Sequence, residues 1–118
     1  MGLFSKKSTD EKGRQAATKR GIDVSEARFV AHGGAPDAPA TLVLADEWVE
    51  LHEHGQRGSI TGKGKSVRRL KRTALESVSV ERQGIHAFVI MGGAGTELRY
   101  QTDVIQAEEV AREVRGIM

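Results

Sequence analysis

The sequence predicts a mainly β fold: a strongly bent antiparallel sheet of about seven short strands, a partly open barrel capped by one C-terminal α-helix. Three observations carry this. Residues 74 to 102 alternate apolar and polar residues with the two-residue period of strands, interrupted by Gly turns. At Thr102-Asp103 the period changes to that of a helix, which runs to residue 117. Upstream, Thr41-Leu42-Val43-Leu44 and Trp48-Val49-Glu50-Leu51-His52 form another alternating pair around Asp46-Glu47. An open α+β sheet with the helix on one face is the runner-up.

The elements follow in order. Residues 6 to 20 mix Lys, Ser, Thr, Asp, Gln and Arg with almost nothing apolar beyond Ala16 and Ala17. Such a stretch buries too little surface to offset the entropy of ordering, so 1–21 reads as a flexible, polar, basic segment and 22–118 as one domain. Ala27 to Ala31 reads as the first strand. His32-Gly33-Gly34-Ala35-Pro36-Asp37-Ala38-Pro39 concentrates turn formers and reads as a loop. The strand pair 41–44 and 48–52 follows, with Val49 and Leu51 on one face. Gly55 and Gly58 frame the next turn, and Ser59 to Lys65 reads as a Gly-rich, polar strand end running into a mobile loop. Val67 and Leu70 are the large apolar residues of the segment after it.

Val78 and Val80 then oppose Ser77, Ser79 and Glu81, as in a half-wet strand, and Arg82-Gln83-Gly84 turns the chain. Ile85 to Met91 is apolar at nearly every position, which predicts a strand covered on both faces. Gly92-Gly93-Ala94-Gly95 is a hairpin loop, and Glu97 to Gln101 returns with Leu98 and Tyr100 in phase. The helix opens on Asp103 with Gln106 three residues later, the pattern of a capping box. Ala107, Val110, Ala111, Val114 and Ile117 make its apolar stripe, and Glu108 and Arg112 are spaced for an ion pair.

A chain of 118 residues fits one domain. It has no cysteine, which removes disulfides and thiolate metal sites and fits a reducing compartment. No apolar run approaches the roughly 18 residues that span a bilayer. Met1-Gly2-Leu3-Phe4-Ser5-Lys6-Lys7 lacks a signal-peptide core, and Lys6 stands where a myristoylation signal wants Ser or Thr. The expectation is a soluble, cytoplasmic protein. Its formal charge of +2 hides polarity. Residues 57 to 72 carry Arg57, Lys63, Lys65, Arg68, Arg69, Lys71 and Arg72 without an acid, while 46 to 53 carry Asp46, Glu47, Glu50 and Glu53 without a base. The helix is net acidic, so the molecule's field can steer partners.

The order of features resembles the bacterial pleckstrin-homology-like domains. Phe29-Val30-Ala31-His32-Gly33-Gly34 with Pro36 and Pro39 is similar to an aromatic, apolar, Gly-Gly entry segment of that family. Thr41 to Val49 resembles its first hairpin, Leu75-Glu76-Ser77-Val78 its apolar-x-x-apolar step, and the C-terminal helix its plug. The resemblance covers residues 28 to 117. It implies a scaffold that binds lipids, peptides or proteins, and it implies no reaction and no cofactor.

Candidate chemistry is sparse. Gly62-Lys63-Gly64-Lys65-Ser66 misses the nucleotide loop, because Ser59 stands where the first Gly is needed. Lys63, Lys65, Arg68, Arg69, Lys71 and Arg72 are the candidate ligand-binding residues, since arginine forks and lysines hold phosphate or carboxylate oxygens. His52 and His54 fall on one strand face with Glu50, and His32 and His86 could join them as weak metal ligands; a polar surface is the simpler reading, and no metal site is expected. One Trp, one Tyr and three Phe offer few stacking platforms, which argues against nucleic acid. The sequence therefore predicts a non-catalytic module for a protein or peptide partner. An anionic membrane surface or other phosphate-bearing ligand at residues 63 to 72, and a subunit of a larger assembly, are the alternatives.

Overall fold

The computed structural model describes residues 8–35, 38–54 and 65–118. Seven strands form two antiparallel sheets followed by the C-terminal helix, and the two sheets do not close into a barrel. The first sheet has the order β1 (Phe29–Ala35), β2 (Ala38–Leu44), β3 (Trp48–His54), β4 (Lys65–Lys71). After a short 3-10 turn at Arg72–Ala74, the second runs β5 (Ser77–Gln83), β6 (His86–Gly93), β7 (Thr96–Asp103). Two helices complete the chain: α1 (Thr9–Lys19) at the front and α2 (Val104–Ile117) at the end.

The inner faces of both sheets and one stripe of α2 share a single core. Leu42, Leu44, Val49, Leu51 and Leu70 come from the first sheet, Val89, Met91, Leu98 and Tyr100 from the second. Ala107, Val110, Ala111, Val114 and Ile117 of α2 all enter it, as their helical spacing predicts. Asp103 caps α2 by accepting from the Gln106 amide at 2.8 Å. The Gln106 side chain does not complete a capping box. Its Oε1 accepts from the hydroxyls of Tyr100 (2.5 Å) and Thr102 (2.7 Å), and its Nε2 donates to the His32 carbonyl at 3.3 Å. One glutamine thereby ties β7, α2 and β1 together.

Further expectations about the elements need correction. Residues 9 to 19 form a helix instead of a flexible segment. Ser8 caps it by accepting from the Glu11 amide (3.1 Å), Asp10 and Glu11 fill its first turn, and Lys19 its last. The helix has no broad apolar stripe because it docks through small residues. Gly13 brings the α1 backbone against Val30, and buried Ala17 joins Val30 and Val43 in a second cluster on the outer face of the first sheet. Asp10 Oδ1 accepts from the Val30 amide (2.9 Å), and Arg14 bridges Asp10 (2.8 Å) to the Ala27 carbonyl (2.8 Å).

Second, the segment expected as a loop over 32–39 is strand at 32–35 and 38–39, with 36–37 outside the described residues. Gly33 is the reason β1 continues, because it packs against β7: a Cβ there would lie 2.7 Å from the Tyr100 hydroxyl. Third, Ile85 lies in the turn before β6 and is 81% exposed. Fourth, β6 is fully covered on one face only. Ala87, Val89 and Met91 are buried, whereas Phe88 and Ile90 are half-buried and the Arg99 guanidinium lies 5.0 Å over the Phe88 ring. The expected turn and loop at 55–64 lie outside the described residues.

Candidate functional site

Strand β4 carries the basic residues, and its position follows from the ladder. In an antiparallel sheet, the N–H and C=O of one residue point to the same side and those of its neighbour to the other. The Ala45 amide donates to the Trp48 carbonyl (2.9 Å) at the end of the β2–β3 ladder, so Val43 with Glu50 and Thr41 with His52 are hydrogen-bonded pairs. Parity then carries across β2 and β3. Ser66, Arg68 and Leu70 turn their backbone groups toward Glu53, Leu51 and Val49. The Arg72 amide, which donates to the Glu47 carbonyl (2.8 Å), agrees with this parity. The groups of Val67 and Arg69 therefore point away from the sheet, and no described backbone group pairs with them.

The side chains divide by the same parity. Arg69 projects on the outer face, where its guanidinium ion-pairs with Glu50 and stacks 4.2 Å over the Trp48 ring. Glu50 is only 13% exposed, so Arg69 compensates a largely buried carboxylate. Arg68 projects on the inner side and reaches Glu53 at 3.5 Å. Lys71 and Arg72 are exposed and make no ion pair among the described residues. Lys65 begins β4, and Lys63 lies outside the described residues. The acidic block 46–53 is thus the direct neighbour of the basic block, because β3 and β4 are adjacent. That pairing was invisible in the linear charge pattern, which set the basic segment against the helix.

The outer face of the first sheet also gathers three of the four histidines. His52 Nε2 lies 3.1 Å from Glu50 Oε1. His32 Nδ1 and His54 Nε2 each lie 2.9 Å from the hydroxyl of Thr41, which is wholly buried. One ring nitrogen donates to that oxygen and the other accepts its proton, so the neutral pair satisfies the threonine. Burial, aided by the nearby Arg20 charge, lowers the His32 pKa. His86 is exposed at the start of β6, on the other sheet. No group of three or more His, Asp or Glu suited to a metal ion occurs among the described residues. A groove of about 620 Å³ runs over this face, lined by Arg20, Ile22, Trp48, His52, Val67 and Arg69 among others.

The other three edge strands each meet a neighbour. On β1, Asp10 occupies the Val30 amide. On β7, the Gln101 carbonyl faces Gly33 of β1. On β5, the Arg115 guanidinium of α2 reaches the Val78 carbonyl (3.4 Å), and Arg82 pairs with Glu108 (3.5 Å) rather than Glu108 with Arg112. On β4, which also contacts β7, no described group meets the outward backbone groups of Val67 and Arg69. Comparisons of the chain with protein-family models, curated proteins and solved structures returned no match.

Proposed function

We propose that the protein is a non-catalytic interaction module that takes an extended segment of a protein partner by strand addition at β4. The observation that carries this is the set of outward backbone groups on Val67 and Arg69, beside an exposed Val67 and the cations Lys71 and Arg72, unpaired among the described residues. An unpaired edge is a template for another strand: main-chain hydrogen bonds supply affinity, and flanking side chains supply selectivity.

An unbiased library of extended heptapeptides displayed against the whole chain tests it. The control is Val67→Pro, which deletes an outward N–H and leaves the bonds from Arg68 and Leu70 to β3 in place. Enrichment of peptides by the parent chain, lost in Val67→Pro, is the expected result. No enrichment, or enrichment indifferent to Val67→Pro, rejects the reading.

A second reading is an anionic surface, favoured by Lys71 and Arg72, which are exposed and unpaired with acids among the described residues. Co-sedimentation with phosphatidylserine vesicles at low salt, lost on Lys71→Glu with Arg72→Glu, would support it.

A further inference from the structure

Resting on strand addition at β4, we infer that the segment it takes is acidic and carries one aliphatic residue four positions from a carboxylate on the same face. A second copy of this chain is not the occupant. Two β4 edges pairing antiparallel about a two-fold axis would set Arg69 against its own counterpart when the axis passes through it, or Arg69 against Lys71 and Arg68 against Arg72 when it passes through Leu70, and like charges across a ladder destabilise it.

The partner's pattern follows from which charges β4 has left to offer. Arg69 is already engaged on the outer face, held between the Trp48 ring and Glu50. Arg68 is 57% exposed and, among the described residues, has Glu53 as its one ion-pair neighbour, at 3.5 Å. Lys71 and Arg72 are exposed, with no acidic neighbour among the described residues. The positive demand therefore concentrates at the C-terminal end of β4. Val67, 60% exposed, is its apolar contact toward the other end. Val67 and Lys71 share a parity and so a face, about 13 Å apart at some 3.3 Å per residue. An added strand places residues opposite both. An aliphatic residue beside Val67 and a carboxylate beside Lys71 satisfy that face, and a second carboxylate next to the aliphatic residue reaches Arg68 on the other.

The defined probes are the capped peptide Glu-Thr-Thr-Glu-Val-Thr-Thr and its reverse, for the two strand directions. A Lys-for-Glu version tests the charge, and a version N-methylated at alternate amides tests the backbone. Amide hydrogen exchange and shift perturbation by NMR on the whole chain give the readout. In the free protein, Arg68 and Leu70 amides are expected to be protected and those of Val67 and Arg69 open. The Glu peptide, in one direction, should protect Val67 and Arg69. Its affinity should fall about fivefold for each hydrogen bond lost to N-methylation, and further on Lys71→Glu or added salt. Equal binding of the Lys peptide overturns the acidic assignment while leaving strand addition standing. Undiminished binding of the N-methylated peptide overturns strand addition itself. Val67 and Arg69 protected without peptide in a light-scattering dimer overturns the choice of occupant.

Discussion

His32 shows how one side chain's position makes stability depend on pH. Its ring sits beside a wholly buried hydroxyl, partly withdrawn from water and near Arg20, and both the burial and that charge disfavour the imidazolium. If His54 were protonated as well, both rings would donate to Thr41 Oγ1, and two charges would face each other with ring centroids 6.1 Å apart. Lys19 and Arg20 of the neighbouring groove add like charge, while Glu50 and Glu53 oppose it from β3. The sign follows from linkage. A histidine whose folded pKa lies below the ordinary 6.5 stabilises the fold fully above pH 6.5 and loses that contribution as pH falls below it. Urea midpoints should therefore drop between pH 7.5 and 5, and drop less in His32→Gln. Equal slopes in both chains would contradict this account. Tyr100 works at the opposite end. Burial raises its pKa, so its contribution persists at neutral pH and fades only as pH rises above about 10.

At the scale of elements, the hairpin and helix signals succeeded where they were local. The β6–β7 turn falls within the expected Gly-rich loop, and Gly93 pairs with Thr96 across it. Its central residues, Ala94 and Gly95, have φ of 50° and 78°. Positive φ suits glycine and costs an alanine roughly 1 kcal/mol, so Ala94→Gly should raise stability by a fraction of that, since glycine also gains entropy when unfolded. Thermal unfolding of the two chains measures the difference; a lower midpoint in Ala94→Gly would count against the turn geometry. Helix α2 was legible because its stripe and cap lie within its own sequence. Helix α1 was not, since its cohesion lies in a glycine, an alanine and polar bridges whose partners lie 13 to 100 residues away.

On the scale of the molecule, α1 and β4 are two solutions to the same problem of exposed sheet edges. The β1 edge is covered by docking a helix whose Asp10 takes the Val30 amide, while β4 is defended by charge alone. Gly13→Val separates the two. A Cβ at position 13 would already run into the Val30 carbonyl, so the larger side chain must lift α1 off the sheet. The expected cost is about 1–3 kcal/mol in urea unfolding. With Val30, Val43 and the β1 edge uncovered, the variant should also self-associate with rising concentration in light scattering, because β1 lacks the repelling charges of β4. A monomeric variant with unchanged stability would show that α1 does not seal that edge.

By itself the sequence determined the mainly β class, the strand pairs around 46–47 and 92–95, the inward residues of β3 and β7, and the capped helix at the end. Each is written in alternation or helical period over a few neighbouring residues, because side-chain direction is set by local backbone geometry. Only the tertiary structure decided that Arg69 serves Glu50 and Trp48 while Lys71 and Arg72 are left to solvent. It likewise decided that the Gln106 side chain binds β7 and β1 instead of closing a capping box, that small residues dock α1, and that Val67 and Arg69 turn their backbone groups outward. These outcomes depend on which strands become neighbours and in which register. A linear charge pattern shows that bases and acids are present, but adjacency across a ladder decides which of them neutralise one another and which are free to meet a partner.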